Sequence, residues 1–340
     1  MKTRPVIYGA LGVLVGGTVW MCIQHFCNEH PPLPNAAQAS LVQQDSTVAH
    51  IPARKPIRPA VAAPVMPPKE SLSAPVLEIV DSHADYLKRS DRIRAITGKL
   101  ADADRQALYA FLLQKDPADT GQLSQTLKNE IMDALCSLKP PPTGLMEMLS
   151  DLYHDRGQDE VLRDYAVQHV AAFYRQMADA PGLDPTVLAT GLSSAQSLLW
   201  EALSESDTSI AGTGLLGLTH LSQQGFADVD RAKIEEAAYN LATRNDVGEL
   251  TKITAIQVCA SLGVKDALTV ALGAAQGGET ASVKISGIGA LGLLGGEDQI
   301  PFLNSLLTGE DNRLQQAARA ALDRINLRLQ QPARISGKQS

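Results

Sequence analysis

The sequence contains few aromatic residues relative to its apolar content. Phe, Trp and Tyr together make up 4% of the 340 residues, whereas apolar residues of all kinds make up 44%. Sandwiches and barrels are rich in aromatic and β-branched side chains, so this composition argues against an all-β fold. Abundant Ala, Leu and Gly instead suit helices that approach one another closely. We therefore expect an all-α fold.

Cysteines are also scarce. Two of the four, Cys22 and Cys27, lie in an apolar N-terminal stretch, which leaves Cys136 and Cys259 for the rest of the chain. These two fall on predicted helices several repeats apart, too far for the Cα separation of roughly 6 Å that a disulfide needs. We interpret both as small buried apolar side chains.

Patterns typical of catalytic and metal sites are missing. The chain has no His-Glu dipeptide, and its serine pairs lack a base at a recognisable spacing. His154, with Asp151 and Asp155 beside it, is more typical of a solvated helix end than of a metal site. We predict no catalytic residue, no metal and no cofactor, and hence a protein that is not an enzyme.

Positive charge is low in the main body of the chain. The formal net charge is −7, and the segments outside residues 76–329 carry +5, so residues 76–329 carry −12. An acidic body repels the phosphates of DNA and RNA unless a local basic stripe overcomes this. We expect no nucleic-acid partner and no small-molecule substrate.

The N-terminus has an uncharged apolar run. Residues 6–23 follow Lys2 and Arg4 and contain no charged residue. This is just long enough for a membrane-spanning helix, and the two cations predict a cytoplasmic N-terminus. A cleaved signal peptide is the alternative, although Ala37-Gln38-Ala39 lies far beyond the run. We predict that residues 1–27 form a cytoplasmic stub and a single-pass anchor in a bacterial inner membrane, with the body in the periplasm or outside. Secretion of the body after cleavage of a signal peptide is the second prediction.

Residues 28–76 are rich in proline, which removes backbone donors and fixes the backbone. This composition predicts a disordered tether that could span on the order of 130 Å when fully extended at ~3.1 Å per residue. Residues 330–340 are predicted to form a disordered basic tail.

From residue 81 onward the pattern is helical, with thirteen candidate helices up to residue 329. Residues 282–294 align with residues 313–325 at a shift of 31, so that Val283 matches Leu314 and Leu291 matches Leu322. The same apolar frame recurs at residues 127–138, 162–173, 210–221 and 251–262. Acidic residues precede several of these helices and are expected to cap them: Asp159, Asp207, Glu279 and Asp311. The chain is therefore a repeat protein.

Several sequence segments resemble HEAT repeats of the short bacterial type. They include Asp159-Glu160-Val161-Leu162-Arg163, the run from Ala290 to Gly295, and Pro301-Phe302-Leu303 with Leu306-Leu307. The resemblance implies a right-handed α-solenoid of antiparallel helix pairs, in which the second helix of each pair lines the concave side. We expect residues 77–329 to form about six such pairs behind an N-terminal capping helix.

Gly287, Gly289 and Gly292 match the pattern of a dinucleotide-binding loop. Such a loop must connect a strand to a helix, and neither neighbour here is a predicted strand. We interpret these glycines as helix-packing residues.

Four basic residues occupy one repeat position, namely Lys128, Arg163, Lys252 and Lys284. They could form a basic line that contacts a partner, or they could bond to acids in the turns of the same or the next repeat. Trp200 could be a partner contact or a core residue.

The prediction is a non-catalytic, membrane-tethered scaffold that binds a protein or peptide on its concave face, with Lys128, Arg163, Trp200, Lys252 and Lys284 as candidate contacts. Two alternatives stay open: an enzyme or enzyme accessory of lyase or metal-dependent type, and a purely structural part of an envelope assembly. We expect binding among the longer repeats of residues 145–224.

Overall fold

The structure, a computed structural model, describes residues 65–115, 121–226, 228–278 and 280–330. Within these ranges it is all helical, with fourteen α-helices and no strand, which confirms the all-α prediction. The predicted anchor, most of the predicted tether and residues 331–340 lie outside the described ranges.

The helices are α1 (Ala74–Val80), α2 (Tyr86–Arg94), α3 (Asp102–Leu113), α4 (Gly121–Ser137), α5 (Leu145–His154), α6 (Glu160–Ala178), α7 (Pro185–Ala202), α8 (Ile210–Gln223), α9 (Arg231–Thr243), α10 (Glu249–Leu262), α11 (Ala267–Gly277), α12 (Ala281–Leu294), α13 (Ile300–Leu306) and α14 (Asn312–Gln330). None of them is long and apolar enough to cross a membrane.

Short polar side chains start several of these helices. Asp159 accepts a hydrogen bond from the Val161 amide at the start of α6, and Asp311 accepts one from the Arg313 amide at the start of α14. These bonds satisfy amides that have no partner inside the helix, as predicted. The prediction that Asp207 caps α8 is wrong, because the Thr208 hydroxyl accepts the hydrogen bond from the Ile210 amide. Glu279 lies outside the described residues.

The helices form two rows. Each even-numbered helix contacts the next even-numbered helix along the chain, from α2 to α14, and this set is called the even row. Each odd-numbered helix packs against the even-numbered helix that follows it, and these form the odd row. The buried apolar residues join into one core along both rows.

The N-terminal end differs from the expectation of one capping helix at residues 81–97. Two short helices, α1 and α2, pair there, so the described ranges hold seven helix pairs. Pro75 lies in the first turn of α1, where a missing amide hydrogen costs nothing, and does not belong to an extended tether. Leu72 and Val76 are buried, so the packed body begins before residue 77.

Two of the three glycines of α12, Gly287 and Gly292, are packing residues, as interpreted from the sequence. All three lie inside one continuous helix, which cannot form a dinucleotide loop. A Cβ on Gly287 would lie 2.5 Å from the Ala275 backbone nitrogen, and one on Gly292 would lie 2.8 Å from Ala321 Cα. Gly289 differs, because a Cβ there would meet nothing within 4 Å.

Both described cysteines are free and buried, as predicted. Cys136 lies on α4 and Cys259 on α10, and burial raises the thiol pKa of each.

Candidate functional site

Lys128, the first of the predicted partner contacts, is completely buried on α4. Its Nζ donates a hydrogen bond of 2.5 Å to the carbonyl oxygen of Gln114, just after α3. The same ammonium lies 5.8 Å from the centre of the Phe111 ring, a favourable cation–π distance. Lys128 therefore links α4 to the end of α3 and is not exposed to a partner.

Arg163, the equivalent residue on α6, is 5% exposed. Its Nε donates to the Tyr153 carbonyl at 2.7 Å, and one terminal nitrogen donates to both carboxylate oxygens of Glu205 at 2.7 and 2.8 Å. The guanidinium also lies 5.5 Å from the centre of the Tyr153 ring. Arg163 therefore bonds to an acidic residue in a turn, which is the alternative to partner contact that the sequence left open.

The remaining predicted contacts are partly exposed. Lys252 on α10 donates to the Arg244 carbonyl at 3.1 Å, while Lys284 lies on α12 and Trp200 on α7, where its ring packs against the core. The structure does not bring the four basic residues into an open line, because Lys128 and Arg163 are buried. The role of Lys252, Lys284 and Trp200 as partner contacts stays a prediction.

Charged groups do converge where α5, α6 and the loop after α7 meet. We call the set Tyr153, His154, Arg156, Arg163, Glu201 and Glu205 the Glu205 cluster. Glu205 is 4% exposed and accepts from both Arg163 and Arg156. His154 bonds to Glu201 across to α7, with 3.0 Å between Nε2 and Oε1. His154 lies in the last turn of α5 with a partly exposed ring, as predicted, and the bond to Glu201 is an addition that the sequence did not predict.

Sequence reasoning missed Glu201 and Glu205. The signal that could have found Glu205 is its position in the turn before α8, since arginines at this repeat position are expected to bond to turn acids of the next repeat. The choice between Glu205 and its neighbour Asp207 needed the structure, because the sequence does not show which of the two is buried. Only Glu205 is buried; Asp207 is exposed.

Ser150 forms a Ser–His–Glu arrangement with His154 and Glu201 of the Glu205 cluster, but this arrangement does not fit nucleophilic catalysis. Ser150 Oγ lies 3.2 Å from His154 Nδ1, and Glu201 lies next to the opposite ring nitrogen. However, Nδ1 is 2.7 Å from the Ser150 carbonyl oxygen, which can only accept a hydrogen. That nitrogen must therefore donate, so it cannot take the serine proton as a general base would.

Tyr153 is equally unsuited to proton transfer. Burial, followed by the Glu205 carboxylate, raises the pKa of Tyr153 far above its usual value. Arg156 and Arg163 pair with Glu205, and the ring of His154 bonds to Glu201. The arrangement therefore holds α5, α6 and the loop after α7 together.

Polar bonds also join neighbouring helices of the even row. Glu130 on α4 accepts from the Tyr86 and Ser90 hydroxyls of α2 at 2.7 and 2.5 Å. His169 on α6 lies 2.9 Å from the Asn129 amide oxygen of α4, and burial lowers the pKa of this imidazole to about 4. These bonds fix the register between the stacked helices.

The even row leaves a solvent-facing strip, called here the exposed ridge. Its residues recur four positions apart on four of the helices from α4 to α12 and seven positions apart on α6, as one face of a helix does, and are partly or fully exposed. They are Asn129 and Asp133 on α4, Gln168 and Arg175 on α6, Leu216 and His220 on α8, Ile253 and Gln257 on α10, and Ile285, Gly289 and Leu293 on α12. The ridge is polar at α4 and α6 and largely apolar from α8 to α12.

No group of three or more His, Cys, Asp or Glu side chains in the described part of the chain could hold a metal ion.

Neither protein-family models nor curated protein sequences give a match to this chain.

Proposed function

We propose that this chain is a non-catalytic, membrane-tethered scaffold that binds a protein or peptide segment along the exposed ridge. The body would be a HEAT-like α-solenoid whose even row forms the concave side. The observation that supports this best is the stacking of the even-numbered helices in chain order, which places equivalent residues of five successive helices on one face.

Such a face suits recognition of an extended partner. Each helix contributes one or two side chains, so a segment laid across the ridge contacts several repeats at once. The apolar positions Ile253, Ile285 and Leu293 offer places for apolar side chains of the partner. In this proposal Lys128 and Arg163 hold the scaffold together, and Lys252, Lys284 and Trp200 stay candidate contacts.

The proposal keeps residues 6–23 as an anchor in a bacterial inner membrane and the proline-rich segment as a tether to the periplasm. A reporter enzyme that is active only outside the cytoplasm, fused after Ser340, tests this topology. We expect activity in the fusion. A reporter that is active only in the cytoplasm would contradict the predicted location of the body.

Photo-crosslinking tests the binding face. Gly289 on the even row and Gly273 on the odd row can both accept a side chain, because a Cβ at either position meets nothing within 4 Å. A photoreactive amino acid is placed at one position or the other in the full-length chain, and membranes are irradiated. We expect one discrete adduct from position 289 and none from position 273.

The two positions are matched controls for each other, since both probes lie on helices of the same C-terminal region. An adduct from position 273 alone would place the partner on the odd row and contradict the proposed face. Adducts from neither position would favour a purely structural protein.

A further inference from the structure

Arg175 is an exposed cation on the ridge near the end of α6. Within the described ranges no carboxylate lies close enough to form an ion pair with its guanidinium. Other arginines among the described residues are paired: Arg163 and Arg156 with Glu205, and Arg244 with Asp246. Arg175 is therefore a positive charge on the proposed binding face that the fold itself does not neutralise.

His220 lies on α8, the next helix of the even row, which packs against α6. Burial, and then the positive charge of Arg175, lower the pKa of His220. Asp133 lies on α4, which also packs against α6. Asp133 is too far away to form a salt bridge with Arg175, since no such contact within 4 Å exists among the described residues.

The ridge next to this spot is uncharged and mostly apolar. Leu216 precedes His220 by one turn on α8, and Ile253 and Gln257 follow on α10. Gly289 on α12 leaves room above the helix, because nothing lies within 4 Å of a Cβ placed there. The exposed cation Arg175 is thus followed along the ridge by an apolar surface that includes Leu216 and Ile253.

We propose that the ridge binds a peptide segment that carries a carboxylate beside apolar side chains, with the carboxylate on Arg175 and the apolar side chains over Leu216 and Ile253. This proposal rests on the proposed function and names the chemistry of its partner. A guanidinium is well suited to a carboxylate because it can donate two parallel hydrogen bonds. The net charge of −12 over residues 76–329 repels acidic segments elsewhere, so this spot would also fix the register of the partner.

A displayed library of random peptides tests the proposal. The library is selected against the full-length chain in lipid nanodiscs, and the bound peptides are sequenced. We expect enrichment of Asp or Glu next to apolar residues. With Arg175→Glu we expect the acidic preference to disappear and Lys or Arg to be enriched at that position.

The matched control is Lys233→Glu, which makes the same change of charge at an exposed position of α9 on the odd row. It should leave the enriched sequences unchanged. For the strongest peptide, Arg175→Gln should weaken binding by about tenfold or more, the loss expected for a charge-assisted hydrogen bond. Lys233→Gln should have little effect, and thermal melts of each variant check that the fold is intact.

The outcomes separate the two proposals. Enriched peptides that crosslink to position 289 but show no acidic preference, or that bind equally well to Arg175→Glu, would overturn the carboxylate site alone. A library that yields no peptide crosslinking to position 289 would contradict both the site and the ridge as a binding face.

Discussion

The two halves of the even row are held together differently. From α2 to α8 the contacts between helices include buried polar groups, such as Arg163 with Glu205 and His169 with Asn129. From α10 to α14 small residues bring backbones close together: Gly292 lies against Ala321 of α14, and Gly287 lies against Ala275 of α11 in the odd row. Polar bonds are present here too, because Ser286 donates to the Ile253 carbonyl and Arg328 donates to the Gly292 and Gly295 carbonyls. The N-terminal half therefore differs in burying charged side chains, whereas the C-terminal half combines close backbone approach with bonds to backbone carbonyls.

The largest expected effect on stability tests the part of the even row from α2 to α8. Glu205→Ala leaves the buried guanidinium of Arg163 without its counter-ion, which should lower the free energy of unfolding by about 3 to 5 kcal/mol. Urea titration of the full-length chain measures this. Asp246→Ala, which breaks the exposed pair with Arg244, is the control and should change little. Equal effects of the two variants would show that the buried cluster is not a stabilising feature of this half.

The next effect concerns pH and His169. Its folded pKa of about 4 lies below the unfolded value of 6.5, so the folded state keeps the imidazole neutral while the unfolded state takes up a proton. Stability from this group is therefore present above pH 6.5 and is lost as the pH falls toward 4, by roughly 3 kcal/mol in total. Unfolding free energies of wild type and His169→Gln, compared from pH 7.5 to pH 4.5, measure this.

The difference between the two proteins isolates His169 from carboxylates that titrate in the same range. We expect His169→Gln to lose less stability on acidification than wild type. Parallel curves would mean that the imidazole is not buried in neutral form, and would weaken the contrast between the halves.

The smallest expected effects on stability test the close packing of glycines on α12, in the part of the molecule from α10 to α14. Gly287→Ala forces a methyl group against the backbone of α11 and should cost about 1 to 3 kcal/mol. Gly289→Ala, on the same helix but in open space, should stabilise by up to about 1 kcal/mol, because alanine is the better helix former. Thermal melts of the two variants measure the difference. If both stabilise, the helices are not held by close backbone contact at Gly287.

The sequence predicted the helices well because apolar periodicity, capping acids and glycines are local signals. It failed at Pro75, since proline is as compatible with an extended tether as with the first turn of a helix. It also missed Glu205, whose partner Arg163 is 42 residues away. The candidate site was only partly predictable: a shared repeat position identified Lys128 and Arg163, but burial decides whether such a cation is available to a partner.

The amino-acid sequence was enough to establish that the chain is helical, because this property follows from the spacing of apolar and small residues along one chain. Which charges are paired and which remain exposed could be read only from the folded structure. Neutralisation depends on distances of a few ångströms between separate helices, so Arg163 is buried against Glu205 while Arg175, twelve residues later on the same helix, is left on the ridge.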